Sequence, residues 1–130
     1  MTKVHVENGS LGRISFYSAT EIAKEHRGWP LGAFVTDENG LPLTKEFEVK
    51  LMHYKADDRR DEWVAPAPGV TFHIVLSGIQ RQIFAPNGID GAHIDRVVRA
   101  GEAIFFDNSV PHKWVTEEEG MQISVRRLQD

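Results

Sequence analysis

From residue 33 onward the chain alternates short apolar-rich runs with turn-forming residues, and no other feature constrains its fold as strongly. The runs cover residues 33–36, 46–55, 70–76, 79–85, 94–98, 103–106, 113–116 and 121–128. Between them stand Asp37-Glu-Asn-Gly40, Ser77-Gly78 and Asn87-Gly88, residue types that accept the tight or left-handed backbone of a turn. Short strands recurring roughly every 8–12 residues predict an all-β sandwich or barrel. Residues 46–55 alternate most cleanly and put Phe47, Val49, Leu51 and His53 on one face, which the pattern assigns to the interior. Residues 70–76 are apolar almost throughout, as in a strand covered on both sides.

The first 45 residues add strand-like alternation at 3–7 and 12–17 and the one clear helix signal. Ser18-Ala-Thr-Glu21 matches a capping box, in which the two side chains satisfy the open donors of a helix start. The helix predicted over residues 18–27 is stopped by Gly28 and Pro30. No repeat or linker interrupts the 130 residues, and 41% of them are hydrophobic, enough for one core. Residues 1–45 are read as N-terminal strands and a short helix of the same domain, and residues 46–130 as its barrel.

Charge and composition narrow the function. A formal net charge of −4 provides no basic footprint for nucleic acid. The absence of cysteine excludes disulfides, thiolate metal ligands and cysteine nucleophiles. No apolar run approaches the roughly 18 residues of a membrane helix, and the N-terminus alternates polar with apolar residues, unlike a signal peptide. A cytoplasmic protein touching neither nucleic acid nor membrane is the expectation. No glycine-rich phosphate loop, dinucleotide fingerprint or serine elbow is present.

Residues 101–114 carry the sharpest motif. An apolar strand runs into a polar turn at Asp107, Asn108, Ser109 and Pro111, and His112 opens the next strand with Trp114 on its own face. The segment resembles the second motif of the cupin superfamily: glycine, five residues, proline, one residue, glycine, two residues, histidine, three residues, asparagine. Gly101 and His112 fall on the motif's glycine and histidine, while Asp107, Ser109 and Thr116 stand for its proline, second glycine and asparagine. Residues 74–78 resemble the end of the first motif, with Thr71 in the place of its glutamate and no histidine pair at 64/66 or 65/67. Glu48-Val-Lys, Arg60-Asp-Glu-Trp63, Val75-Leu-Ser-Gly78 and His112-Lys-Trp114 resemble segments of a group of small bacterial cupins. Over residues 46–128 the resemblance implies a double-stranded β-helix, the cupin jelly-roll barrel, with three of the four usual metal ligands missing.

His112 is the leading candidate for chemistry, because imidazole ligates metals and transfers protons near neutral pH. His73 shares a face with Thr71, and His53 ends the apolar face of its strand. Were these three to meet, they would hold a divalent metal such as zinc, iron, nickel or copper; otherwise each is a satisfied core or surface histidine. Glu62, just before the apolar segment, is the carboxylate read as joining the histidines or acting as a base without metal, or else a plain surface charge. Arg81 is read as a fork for an anionic ligand group, and Trp114, Phe105 and Trp63 as pocket walls, against solvent exposure and core packing respectively. The charge run 57–62 is read as a solvated loop.

Two functions compete, with an interaction or structural module whose cavity is filled as a third. One is an enzyme using inward histidines for acid–base or metal-assisted isomerisation, cyclisation or dioxygenation of a small polar or aromatic substrate. The other is a non-catalytic ligand-binding or sensing module. Either is expected to form a homodimer, with residues 4–7 and 13–17 as the strands that cross over.

Overall fold

Ser18 has an extended backbone (φ −79, ψ 105), and its hydroxyl accepts the Glu21 N–H at 3.2 Å. The helix α1, Ala19–Glu25, therefore begins where its capping residue predicts. Its end differs in detail. Gly28 donates its N–H to the Ala23 carbonyl at 2.7 Å, the outer bond of a Schellman cap, but the left-handed residue inside that cap is Arg27, at φ 55. A side chain there carries a Cβ penalty that glycine lacks. Arg27→Gly is expected to stabilise the chain by about 0.5–1 kcal/mol, and an unchanged urea midpoint would sink the idea.

The computed structural model describes residues 2–128. Contacts divide the chain into two units, Met1–Leu51 and Met52–Asp130. In the first, β1 (Thr2–Lys3) lies parallel to β4 (Val35–Thr36), while β2 (Glu7–Gly9) and β3 (Gly12–Ile14) pair with each other as a hairpin. Its core is Val4, Val6, Ile22 and Val35, flanked by Tyr17, Phe34 and Leu43.

The strand β5 (Glu48–Tyr54) runs across the boundary. It is followed by β6 (Arg59–Val64), β7 (Val70–Val75), β8 (Ile79–Phe84), β9 (Ile94–Arg99), β10 (Ala103–Asp107), β11 (His112–Glu118) and β12 (Gly120–Arg127). They form two four-stranded sheets with orders β10-β7-β12-β5 and β6-β11-β8-β9. The chain is thus β-rich with one short helix, as the turn spacing predicts. The sheets remain separate ladders, with β9 and β10 on the edges of different sheets.

Registers assign the faces. Thr71 pairs across to Phe106 and Arg126, and Gln82 to Trp114 and Arg96. Thr71, Val75, Gln80, Gln82, Thr116 and Gln122 are buried, so this parity faces inward on both sheets. Three glutamines and two threonines make the space between the sheets unusually polar. Gln80 donates to the Thr116 hydroxyl at 2.6 Å.

Three expectations fail here. β7 is covered on one face only: Phe72 and Leu76, on its other face, are exposed, because a continuous apolar run does not report which side a sheet buries. The charge run 57–62 is not a loop; Asp57 makes the turn at φ 71 and β6 starts at Arg59. In β5 the inward residue of the second unit is Tyr54, whose ring lies 4.7 Å from Trp114, whereas His53 takes the opposite parity.

Candidate functional site

His112 enters β11 after the turn that the motif predicts. The turn is organised by Asn108, which is buried at 6% exposure. Its side chain accepts the Thr71 hydroxyl at 2.5 Å and donates to the Pro68 carbonyl at 3.2 Å. Its N–H reaches the Gly69 carbonyl at 2.9 Å, and its own carbonyl accepts Ala67 N–H at 3.0 Å. One asparagine so joins the segment before β7 to the turn before His112, a role that spacing alone does not reveal.

The His112 ring packs against Phe106 (4.8 Å between centroids) and Phe84 (5.8 Å). Its Nδ1 lies 3.1 Å from the Val110 carbonyl. A carbonyl only accepts, so Nδ1 carries the proton and Nε2 the lone pair of the neutral ring. Burial pushes the His112 imidazole below its usual value, outweighing the Val110 carbonyl; the charge of Arg60 acts in the same direction as burial.

Beside this cluster a cleft of about 580 Å³ opens between the edge strands β9 and β10. Phe84, Phe106, Ile104, Ile94 and Val98 form an apolar floor, and Val110, whose carbonyl meets His112, also lines the cleft. Gln82, only 5% exposed, contributes an amide. Arg96 pairs in register with Gln82, so it shares the inward face and lines the cleft. Glu102 at the rim accepts the Arg99 N–H at 2.7 Å and so closes its own turn.

The structure distributes the candidate residues unevenly. His112 stands directly behind two floor residues of the cleft. Phe105 lines the cleft but is largely exposed. Trp114 faces inward and packs on Tyr54, whose hydroxyl burial pushes up to about 12, with a smaller push from Asp58. His73 also faces inward and its Nδ1 meets the Ser124 hydroxyl at 2.7 Å. Arg81, Trp63, Glu62 and His53 lie elsewhere. Arg81 has outward parity and forks onto Glu117 (2.6 Å) and Asp95 (2.8 Å) on the neighbouring strands. Trp63 stacks edge-on with His93 at 4.9 Å beneath the Lys113 ammonium. Glu62 is exposed. His53 is half exposed beside Glu119 at 3.1 Å.

The three imidazoles therefore do not converge. Among the described residues no group of three or more His, Asp or Glu side chains is placed to hold a metal. The reason is parity and sheet: His73 and His112 face inward from different sheets, and His53 faces outward. The residues sequence reasoning missed are Arg96, Gln82, Asn108 and Tyr54. Arg96 was legible in principle, since pairing β8 with β9 puts Gln82 opposite it, but the register is not written in composition.

Solved structures share this fold at low sequence identity. The chain superposes on an oxalate oxidase with a TM-score of 0.58 and 15% identity over 71% of its own length and 48% of that chain. It superposes on Bacillus subtilis oxalate decarboxylase with a TM-score of 0.58 and 17% identity, over 71% of its own length and 24% of that chain. Hydroxypropylphosphonic acid epoxidase from S. wedmorenis matches with a TM-score of 0.52 and 17% identity, over 62% of this chain and 42% of that one. All three are cupin-fold proteins, so the fold is of the cupin kind. The chain spans less than half the length of each. No family model matches the chain, and no curated protein does. No helix among the described residues is long and apolar enough to cross a membrane.

The decarboxylase is described with Mn(II) centres and the epoxidase with Fe(II). The residues here do not fit such an ion. Thr71, in the place of the expected glutamate, donates its hydroxyl hydrogen bond to the Asn108 amide oxygen, and His112 alone of the expected ligand set is present at its position.

Proposed function

We propose that the second unit is a small-molecule-binding cupin of the jelly-roll type, and that its ligand lies in the cleft between β9 and β10. The observation that carries the reading is the cleft itself: about 580 Å³, an apolar and aromatic floor, and an exposed arginine in register with a buried amide. Small-ligand sites have this volume and this balance of lining. Arg96 forms no ion pair among the described residues, and its guanidinium suits a carboxylate or phosphate at the polar end of a small, partly aromatic ligand. Phe84 and Phe106 would flank the ligand's body.

A catalytic reading rests on His112, an uncharged base whose ring packs against the two phenylalanines. Reached by a substrate when those rings part, it would take and return a proton, as isomerisation or cyclisation requires. The non-catalytic reading is supported by Glu62, the carboxylate expected to act with His112, lying away from the cleft.

Binding of benzoate and other monocyclic aromatic carboxylates, followed by amide shifts of Gln82 and Phe106, tests the site. Arg96→Ala is expected to weaken binding about ten-fold, the worth of one charge-assisted pair. Unchanged affinity in that variant would remove the cleft from the argument. His112→Gln is expected to leave benzoate binding in place and to abolish any turnover.

The same histidine sets a pH signature. The unfolded ring titrates near 6.5 and the folded one lower. Between the two values the unfolded chain binds more protons, so stability is lost as pH falls below about 6.5 and is flat above it. Imidazole NMR titration checks this directly, and a folded value at or above 6.5 would contradict it.

A further inference from the structure

The outer face of the β10-β7-β12 ladder is apolar and ordered in rows. Phe105 pairs with Phe72 and Phe72 with Val125; Ala103 pairs with Ile74 and Ile74 with Ile123. Phe105 is 67% exposed and Phe72 42% exposed, and Leu76 extends the face beyond β7. Contiguous apolar surface of this kind marks an interaction site. The next row is charged: Asp107 on β10, Val70 on β7, Arg127 on β12. Neither charged residue forms an ion pair among the described residues.

The rows are antisymmetric about β7, and this selects the occupant. When two copies stack face to face about an axis along β7, each strand β10 lies over the other copy's β12 at the same row. Asp107 then meets Arg127 twice, Phe105 meets the smaller Val125, and Ala103 meets Ile123. Phe72 and Ile74 meet their own counterparts on the axis. We propose that this face is a homodimer interface with that two-fold symmetry, an isologous contact between sheets stacked about 10 Å apart.

Sedimentation velocity at roughly 100 μM, a concentration at which a specific dimer is populated, is expected to give twice the 14.7 kDa chain mass. Asp107→Arg and Arg127→Asp each set like charges opposite one another at two places. Each is expected to weaken the dimer about ten-fold or more, and the double swap to restore it within about two-fold. Phe72→Glu, which brings two carboxylates together on the axis, is expected to give one chain mass. All three positions are solvent-facing, so circular dichroism should stay unchanged. A wild-type chain sedimenting as one mass would overturn the proposal. So would a dimer indifferent to these substitutions, or a double swap that fails to restore it.

Discussion

Gly69→Ala is expected to destabilise the chain by about 2–5 kcal/mol, the sum of a left-handed backbone penalty of about 1–2 kcal/mol and an overpacking cost of about 1–3 kcal/mol. Gly69 stands at φ 98, just before β7. A Cβ there would lie 1.8 Å from the Arg127 carbonyl oxygen and 2.8 Å from its carbon, backbone that cannot swing aside. The Gly69 carbonyl also holds Asn108, so a shift here propagates to the turn before His112. Gly88→Ala is the control: its φ is 94, but nothing lies within 4 Å of the added methyl. Urea unfolding followed by tryptophan fluorescence compares the two. Equal losses would mean that the close approach to Arg127 contributes nothing.

Asn108→Ala is expected to cost about 2–4 kcal/mol, because it removes the hydrogen bonds to two partners and leaves the buried one, Thr71, unsatisfied. Those partners are the Thr71 hydroxyl and the Pro68 carbonyl. A cycle with Thr71→Val should show the double variant losing less than the sum by about 1 kcal/mol, since one interaction is deleted twice. The variant should also let water reach His112. The ring's titration then moves up toward its ordinary value of 6.5. An Asn108→Ala chain with full stability and an unmoved His112 titration would show that the asparagine organises neither.

The strand sequence of the second unit was legible because turn residues bracket nearly every run. Residues 70–76, 79–85, 94–98, 103–106, 113–116 and 121–128 all contain strands close to those limits. The missed strand, β6, is charged at Arg59, Arg60, Asp61 and Glu62, a composition that reads as loop when its pairing to β11 is unknown. The cupin-like motif located His112 and the turn that delivers it. It did not locate the cleft, whose floor comes from β8, β9 and β10 together. Arg81 and Arg96 illustrate the limit. Both have apolar residues two positions away on either side, and only the strand parity separates the Arg81 fork onto Asp95 and Glu117 from the Arg96 that lines the cleft.

Sequence by itself determined where chain direction changes. The capping serine, the turn glycines and the motif turn at Asp107–Pro111 act through local backbone energetics, which travel with the residues. Tertiary structure alone decided which parity faces inward. Alternation states that two faces differ, yet a one-residue change of face moves every side chain of a strand from core to solvent. That choice turned His53 outward, drew Tyr54 in against Trp114, set Arg96 in the cleft and left Phe72 and Phe105 in the open.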